Sequence, residues 1–343
     1  MPPTDLRDVD LGSLLRELDR RFTAAAAPVD LSGVSSRALT AALLRRMVSV
    51  HGSNDLVNLP ACGGELPPRL GAQFGDLDLD AGRAADVLRE LRADEEGVAI
   101  LFDRAELGEV VDGHYVLRTR PLREHFDLCD DRFAREPCLP SARGSGFLVA
   151  RYPQRRRSRW LVTASHCIAP EQLASTVVTF AFDLESVQDG AVRIAVDEVY
   201  ELRAELSRCA DDDPADWVIF ELDREVEGRT IRPLATEPIA ALRPVHIAGH
   251  PLGLPRKLAG NAVVRDSSAA DHFKANLDAY GGNSGSPIFD SETHAIVGLL
   301  VSGQEDLMPS FGCKLDQCML DQCPGETCTR VALFADFVPY PES

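Results

Sequence analysis

No window of the 343-residue sequence approaches 18 uninterrupted apolar residues, which excludes a membrane-spanning helix. The opening stretch Met1-Pro2-Pro3-Thr4-Asp5-Leu6-Arg7-Asp8 lacks the basic segment and apolar segment of a secretory leader. The expectation is a cytoplasmic protein, or a processed form of a longer one. Lysine is nearly missing: Lys257, Lys274 and Lys314 are the only three, and arginine supplies the rest of the 36 basic residues. Against 54 acidic residues these leave a net charge of −18, which repels a phosphate backbone and argues against nucleic-acid binding. The excess biases the protein toward basic partners or substrates. No internal repeat is visible. Nine cysteines, an odd number, cannot all pair within the chain.

The first 95 or so residues carry helical periodicity. Leu11, Leu14, Leu15, Leu18 and Phe22 fall on one helical face, and Pro28 follows where that helix should stop. Ser35 or Ser36 would cap a second helix bearing Leu39, Leu43, Met47 and Val50, closed by Gly52. A proline- and glycine-rich loop spans Pro60 to Pro68, and a third helix from about Ala81 to Arg92 aligns Ala84, Val87, Leu88 and Leu91. Together they predict a small helical bundle over 1–95.

Beyond Glu95-Glu96-Gly97 the pattern changes to short apolar runs separated by turn residues. These include Val98–Phe102, Tyr115–Leu117, Gly146–Val149, Trp160–Val162, Val177–Phe180, Trp217–Phe220, Val245–Ala248 and Ala295–Val301. Many short strands with little helix between them predict an all-β barrel or sandwich over 96–343, and an α+β chain as a whole. Arg155-Arg156-Arg157-Ser158-Arg159 reads as a solvated hairpin tip.

Three motifs carry chemistry. Gly281-Gly282-Asn283-Ser284-Gly285-Ser286-Pro287 surrounds a serine with glycines, so the backbone can turn sharply and aim the Gly282 and Ser284 N–H groups at one point, as an oxyanion hole requires. Trp160-Leu161-Val162-Thr163-Ala164-Ser165-His166-Cys167 runs a strand into a small-residue turn that presents His166. Ala215-Asp216-Trp217-Val218-Ile219-Phe220 sets an aspartate immediately before an apolar strand. Each alone is ordinary: a loop, a core histidine, a strand-capping aspartate. The chain order His166, Asp216, Ser284 makes them a set.

On these motifs the chain resembles the trypsin-like serine peptidases, and Asn283 and Pro287 resemble the bacterial trypsin-like and glutamyl-endopeptidase-like branch. The resemblance covers roughly Gly97 to Ser343 and implies a double six-stranded β-barrel. It implies Ser284 as nucleophile, His166 as general base, Asp216 as the group that orients the imidazole, and no cofactor or metal. It also implies a primary specificity pocket with Asp278, six residues before the nucleophile, at its base. A carboxylate there selects Arg or Lys. Val301, Ser302 and Gly303 resemble the pocket wall, and Glu326 falls near the opposite wall as a second acidic contact. In trypsin an aspartate precedes the nucleophile and pairs with a newly cut N-terminus; Asn283 has no charge to offer, so activation of that kind is not expected. Secreted relatives pair the cysteine after the catalytic histidine with one on the preceding strand, whereas Arg143-Gly144-Ser145-Gly146 has none, in keeping with a reducing compartment. Cys138, a few residues upstream, is the remaining candidate partner for Cys167. Cys313, Cys318, Cys323 and Cys328 recur with four residues between each, as disulfides, free thiols or a zinc site.

The expected function is therefore a serine endopeptidase acting on polypeptides after Arg or Lys. Residues 1–95 would be an adaptor-like domain that binds a protein partner and regulates or recruits the protease, as in a bacterial signalling or anti-phage system. A catalytically latent binding or scaffold protein on the same fold is the alternative. An esterase is disfavoured, because its Gly-x-Ser-x-Gly elbow precedes the Asp and His in the chain.

Overall fold

The computed structural model describes residues 89–340, apart from 129–132, 152–155, 210–214, 304–306, 311–312 and 317–324. The expected bundle lies outside these residues except for its end, where 89–95 are helical. Among the described residues no helix is long and apolar enough to cross a membrane.

Twelve strands close two barrels. The first contains β1 (Val98–Asp103), β2 (Ala142–Val149), β3 (Arg157–Thr163), β4 (Thr176–Thr179), β5 (Val199–Arg208) and β6 (Val218–Glu227). The second contains β7 (Pro244–Gly249), β8 (Lys257–Asp266), β9 (His272–Ala275), β10 (Pro287–Asp290), β11 (Ile296–Ser302) and β12 (Glu326–Arg330). The order around the first ring is β1-β2-β3-β6-β5-β4, and the second repeats it as β7-β8-β9-β12-β11-β10. The expected double six-stranded barrel is thus the observed architecture. Closure leaves no unpaired edge in either ring.

The sequence of β1 shows why these runs are strands. Ile100 and Phe102 join a cluster with Leu117, Val177 and Val192, while Ala99 and Leu101 face a second cluster. Alternation of period two is intact, but both faces are covered, so the run reads as continuously apolar. The second cluster crosses to Phe289, Ile296 and Leu299 of the other barrel. It is closed by a C-terminal segment that returns across the first barrel. Phe334 there sits 6.3 Å from the Phe147 ring and 6.2 Å from Trp217. The arginine run expected at a hairpin tip is partly strand: β3 begins at Arg157, and Arg157 and Arg159 pair with Glu225 and Glu221 of β6 at 3.8 and 3.4 Å.

The helix at 89–95 packs onto the barrels. Leu91 is buried in the shared cluster, and Asp94 is buried among charges from the second barrel. Asp94 Oδ2 accepts from His246 Nε2 at 2.9 Å and from His294 Nδ1 at 2.7 Å. Its other oxygen lies 2.6 Å from Arg232 Nε. Burial alone would raise the Asp94 pKa, but the two imidazole hydrogen bonds prevail and hold it well below the usual carboxylate range. An Asp-His-His trio is also a metal-ligand set. Here a divalent cation would meet the Arg232 guanidinium, so the cluster works as a latch between the helix and the second barrel. Asp94→Asn leaves the partly buried Arg232 with only Glu90, at 3.3 Å, as a counter-charge and removes the carboxylate that accepts from His246 and His294, and it is expected to cost about 3 kcal/mol. A lowered urea midpoint measures that loss, and an unchanged midpoint contradicts the latch.

Candidate active site

His166 stands on the single 3-10 turn Ser165–Cys167 that follows β3. Asp216 enters β6 one residue before Trp217, in the left-handed region with φ of 43°, which aspartate tolerates better than most side chains. The two meet: His166 Nδ1 and Asp216 Oδ2 are 2.5 Å apart. The other carboxylate oxygen, Oδ1, accepts from Ser165 Oγ at 2.6 Å and from the His166 backbone N–H at 3.1 Å. Ser165 is a site residue that the sequence motifs did not single out, although it immediately precedes the histidine. Burial pushes Asp216 up, yet the bonds from His166 and Ser165 outweigh it and hold the carboxyl at about 2. Reciprocally, the hydrogen bond to Asp216 pushes the His166 pKa up to about 10, with burial opposing. Its side chain is 48 % exposed, so solvent screening moderates that rise.

Ser284 lies between β9 and β10 in a loop whose peptide planes are fixed one by one. The Gly281 carbonyl accepts from Leu252 N–H at 2.6 Å, and the Asn283 carbonyl accepts from Ser286 N–H at 2.9 Å. In a trans peptide the N–H points opposite to the carbonyl. The Gly282 and Ser284 N–H groups are therefore both turned away from those partners, and neither donates a hydrogen bond among the described residues. Gly282 has φ of +92°, and a Cβ there would press on His250 O and Leu252 N, so only glycine serves. The Ser284 hydroxyl donates to the Val301 carbonyl at 3.3 Å and not to the imidazole.

At this end of the second barrel Ala275 of β9 pairs with Glu326 of β12, and Ser302 of β11 pairs with Thr327. Asp278 and Glu326 are both buried, while Ser302 and Gly303 are exposed. A Cβ on Gly303 would overlap the Glu326 carboxylate, so that carboxylate lies directly against the Gly303 wall.

The free thiols among the described residues are Cys138, Cys167, Cys209 and Cys328. Cys138 is not joined to Cys167. Gly144 occupies the strand position opposite Cys167, with φ of +155° and Cys167 Sγ in the space a side chain would need. Cys328 points into the second barrel beside Phe273 and Leu300, where burial raises its thiol pKa well above normal. It is a core thiol. The Cys318 and Cys323 positions and the Cys313 side chain lie outside the described residues.

With this geometry in view, residues 144–299 match the family model described as a trypsin-like peptidase domain. That match spans His166, Asp216 and Ser284 and covers less than half of the chain. Similar solved structures include the active form of the Rv3671c protease from M. tuberculosis, at 14 % identity and a TM-score of 0.40 over 74 % of this chain and 85 % of that one. Vibrio cholerae VesB protease gives 16 % and 0.44 over 71 % and 63 %. Neuropsin, a serine protease expressed in the limbic system of mouse brain, gives 12 % and 0.44 over 72 % and 94 %. Among curated proteins nothing matches the chain.

The His166–Asp216 pair generates a titration test. In an NMR titration His166 is expected to hold its proton to a pH above the ordinary histidine value of about 6.5. Asp216→Asn removes the accepting charge and brings the midpoint down toward that value. A wild-type midpoint at or below about 6.5 contradicts the pairing.

Proposed function

We propose that the protein is a serine endopeptidase that cleaves polypeptides after Arg or Lys. The observation that carries the reading is the hydrogen-bonded His166–Asp216 pair, set across the seam from a serine loop with two free N–H groups. In the reaction Ser284 Oγ turns from the Val301 carbonyl to His166, passes it a proton and attacks the scissile carbonyl. The imidazolium then returns the proton to the leaving amine. Asp216 keeps the imidazole in the tautomer with the proton on Nδ1 and stabilises the charged form. The Gly282 and Ser284 N–H groups receive the developing oxyanion, worth roughly 3–4 kcal/mol for each well-placed donor. His166 must be neutral to begin, so its raised pKa moves the acid limb of the activity profile to higher pH.

Two buried carboxylates support the basic preference. Asp278 would stand at the base of the pocket, and Glu326 would line it opposite Gly303, where both could accept hydrogen bonds from a cationic side chain. Residues 1–95 would regulate or recruit the protease through a protein partner. The expected test of that role is deletion of residues 1–88, which spares the Asp94 latch; unchanged activity together with unchanged partners counts against it.

The placement of the Ser284 hydroxyl on Val301 favours a second reading, a latent or inactive protease-fold binding protein. Paired fluorogenic peptides ending in Arg, Lys, Glu or Phe separate the two. The expected result is cleavage of the Arg and Lys peptides, lost by roughly 10⁵-fold or more in Ser284→Ala. Asp278→Ser is expected to remove most of the preference for basic residues. Cleavage of none of the four by the wild type supports the binding protein.

A further inference from the structure

Resting on the peptidase reading, the geometry points to Ser145 as the positioning residue of the oxyanion site. Its hydroxyl, supplied by the first barrel, would hold the nucleophile loop of the second barrel in the backbone arrangement that aims the Gly282 and Ser284 N–H groups at one point.

Ser145 is fully buried on β2, and each of its polar groups is engaged. Its N–H donates to the Ser284 carbonyl at 2.8 Å, and its carbonyl accepts from Thr163 Oγ1 at 2.7 Å. Its hydroxyl donates to the Gly282 carbonyl at 2.8 Å and accepts from the His250 N–H at 2.9 Å. One residue therefore grips the loop on both sides of the Asn283–Ser284 peptide and ties it to the turn after β7.

That grip matters because the loop is intrinsically loose. Gly281 and Gly282 are adjacent, and glycine gives the backbone little preference of its own. The Gly282–Asn283 peptide is held at its N–H end by the Tyr280 carbonyl, at 2.9 Å, and at its carbonyl end by Ser145. The turn that orients Gly282 N–H, through Leu252 N–H on the Gly281 carbonyl, follows His250, which is bound to the same hydroxyl. Removing the hydroxyl frees the Gly282 carbonyl and the His250 N–H together. An alanine cannot replace either bond. Asn283 adds only a neutral amide, whose oxygen accepts from Ser286 Oγ at 3.4 Å inside the loop itself.

Ser158 provides a matched control. Its buried hydroxyl also bridges two backbone groups, donating to the Val149 carbonyl at 2.6 Å and accepting from Trp160 N–H at 3.0 Å, at the far end of the same β2–β3 hairpin. The experiment compares full-length wild type, Ser145→Ala, the near-isosteric Ser145→Cys and Ser158→Ala. For each, the rate of Ser284 labelling by a fluorophosphonate, kcat and KM on an Arg peptide, urea stability and hydrogen exchange of residues 280–287 are measured.

Ser145→Ala is expected to slow labelling and kcat by about 10²-fold, the cost of a misplaced oxyanion donor, with KM little changed and exchange of 280–287 faster. Ser145→Cys, a weak donor, is expected to fall between it and the wild type, and it carries the test if the alanine variant does not fold. Ser158→Ala is expected to lose stability without either effect. Wild-type labelling and wild-type exchange in the folded Ser145 variants would overturn the proposal, as would equal losses in Ser158→Ala. A wild type that neither labels nor hydrolyses peptides refutes the peptidase reading instead. In that case faster loop exchange in the Ser145 variants still upholds the grip, and unchanged exchange overturns it.

Discussion

The hydrogen bond from Ser145 N–H to the Ser284 carbonyl, together with the two made by the Ser145 hydroxyl, is where the two barrels touch at the chemistry. Everything else at the site hangs from one side of it or the other. His166 and Asp216 belong to the first ring, and Ser284 and the pocket wall belong to the second. Because both rings are closed, neither can shear internally to bring its groups nearer the other. Relative placement is set entirely at the seam, by backbone contacts such as this one and by the apolar cluster that runs from Phe147 to Phe289 and Phe334. Precision at the site is thus a property of barrel-to-barrel packing rather than of any one loop.

The two histidines on either side of that seam are held in opposite charge states. His250, beside the nucleophile loop, is buried, donates Nδ1–H to the Leu254 carbonyl and stacks on Phe182; burial pushes its pKa down to about 3. It stays uncharged where the oxyanion would form nearby. His166 faces the opposite environment, with a carboxylate at hydrogen-bond distance, and its pKa is pushed up. Two histidines near one loop are driven apart in titration by their surroundings. Only His166, with its side chain half exposed, is open to proton exchange with solvent.

The eight apolar runs read from the sequence each coincide with a strand; seven of them are barrel strands, covered on both faces and so continuously apolar, and Tyr115–Leu117 belongs to a separate four-stranded sheet. Other strands were illegible for the same reason in reverse. β5 alternates at Tyr200 and Leu202, but register shifts between Leu202 and Ala204 and between Glu205 and Ser207 break the period. Its remainder is rich in charge: Arg203 pairs with Glu221 of β6, and Arg208 pairs with Glu205 and donates to the Ser165 and Ile168 carbonyls of the turn beside His166. The order His166, Asp216, Ser284 was readable because each residue sits at the end of a strand that the sequence marks. Ser145 was not: a serine between two glycines carries no sign that its hydroxyl will span to residues 282 and 250. Asp94 was hidden likewise. In Ala93-Asp94-Glu95-Glu96 it belongs to an acidic run, the signature of a solvated turn. Its partners Arg232, His246 and His294 lie more than 130 residues further along.

The chain order of the second barrel has a consequence for synthesis. β12 pairs with both β9 and β11 and so closes the ring, yet it begins 42 residues after Ser284, from 284 to 326. Ring closure through such distant partners is slow compared with local structure formation. A nascent chain therefore exposes the serine to the cell well before its loop has a barrel beneath it. The order in which the polypeptide is made delays assembly of the site until the last strand arrives.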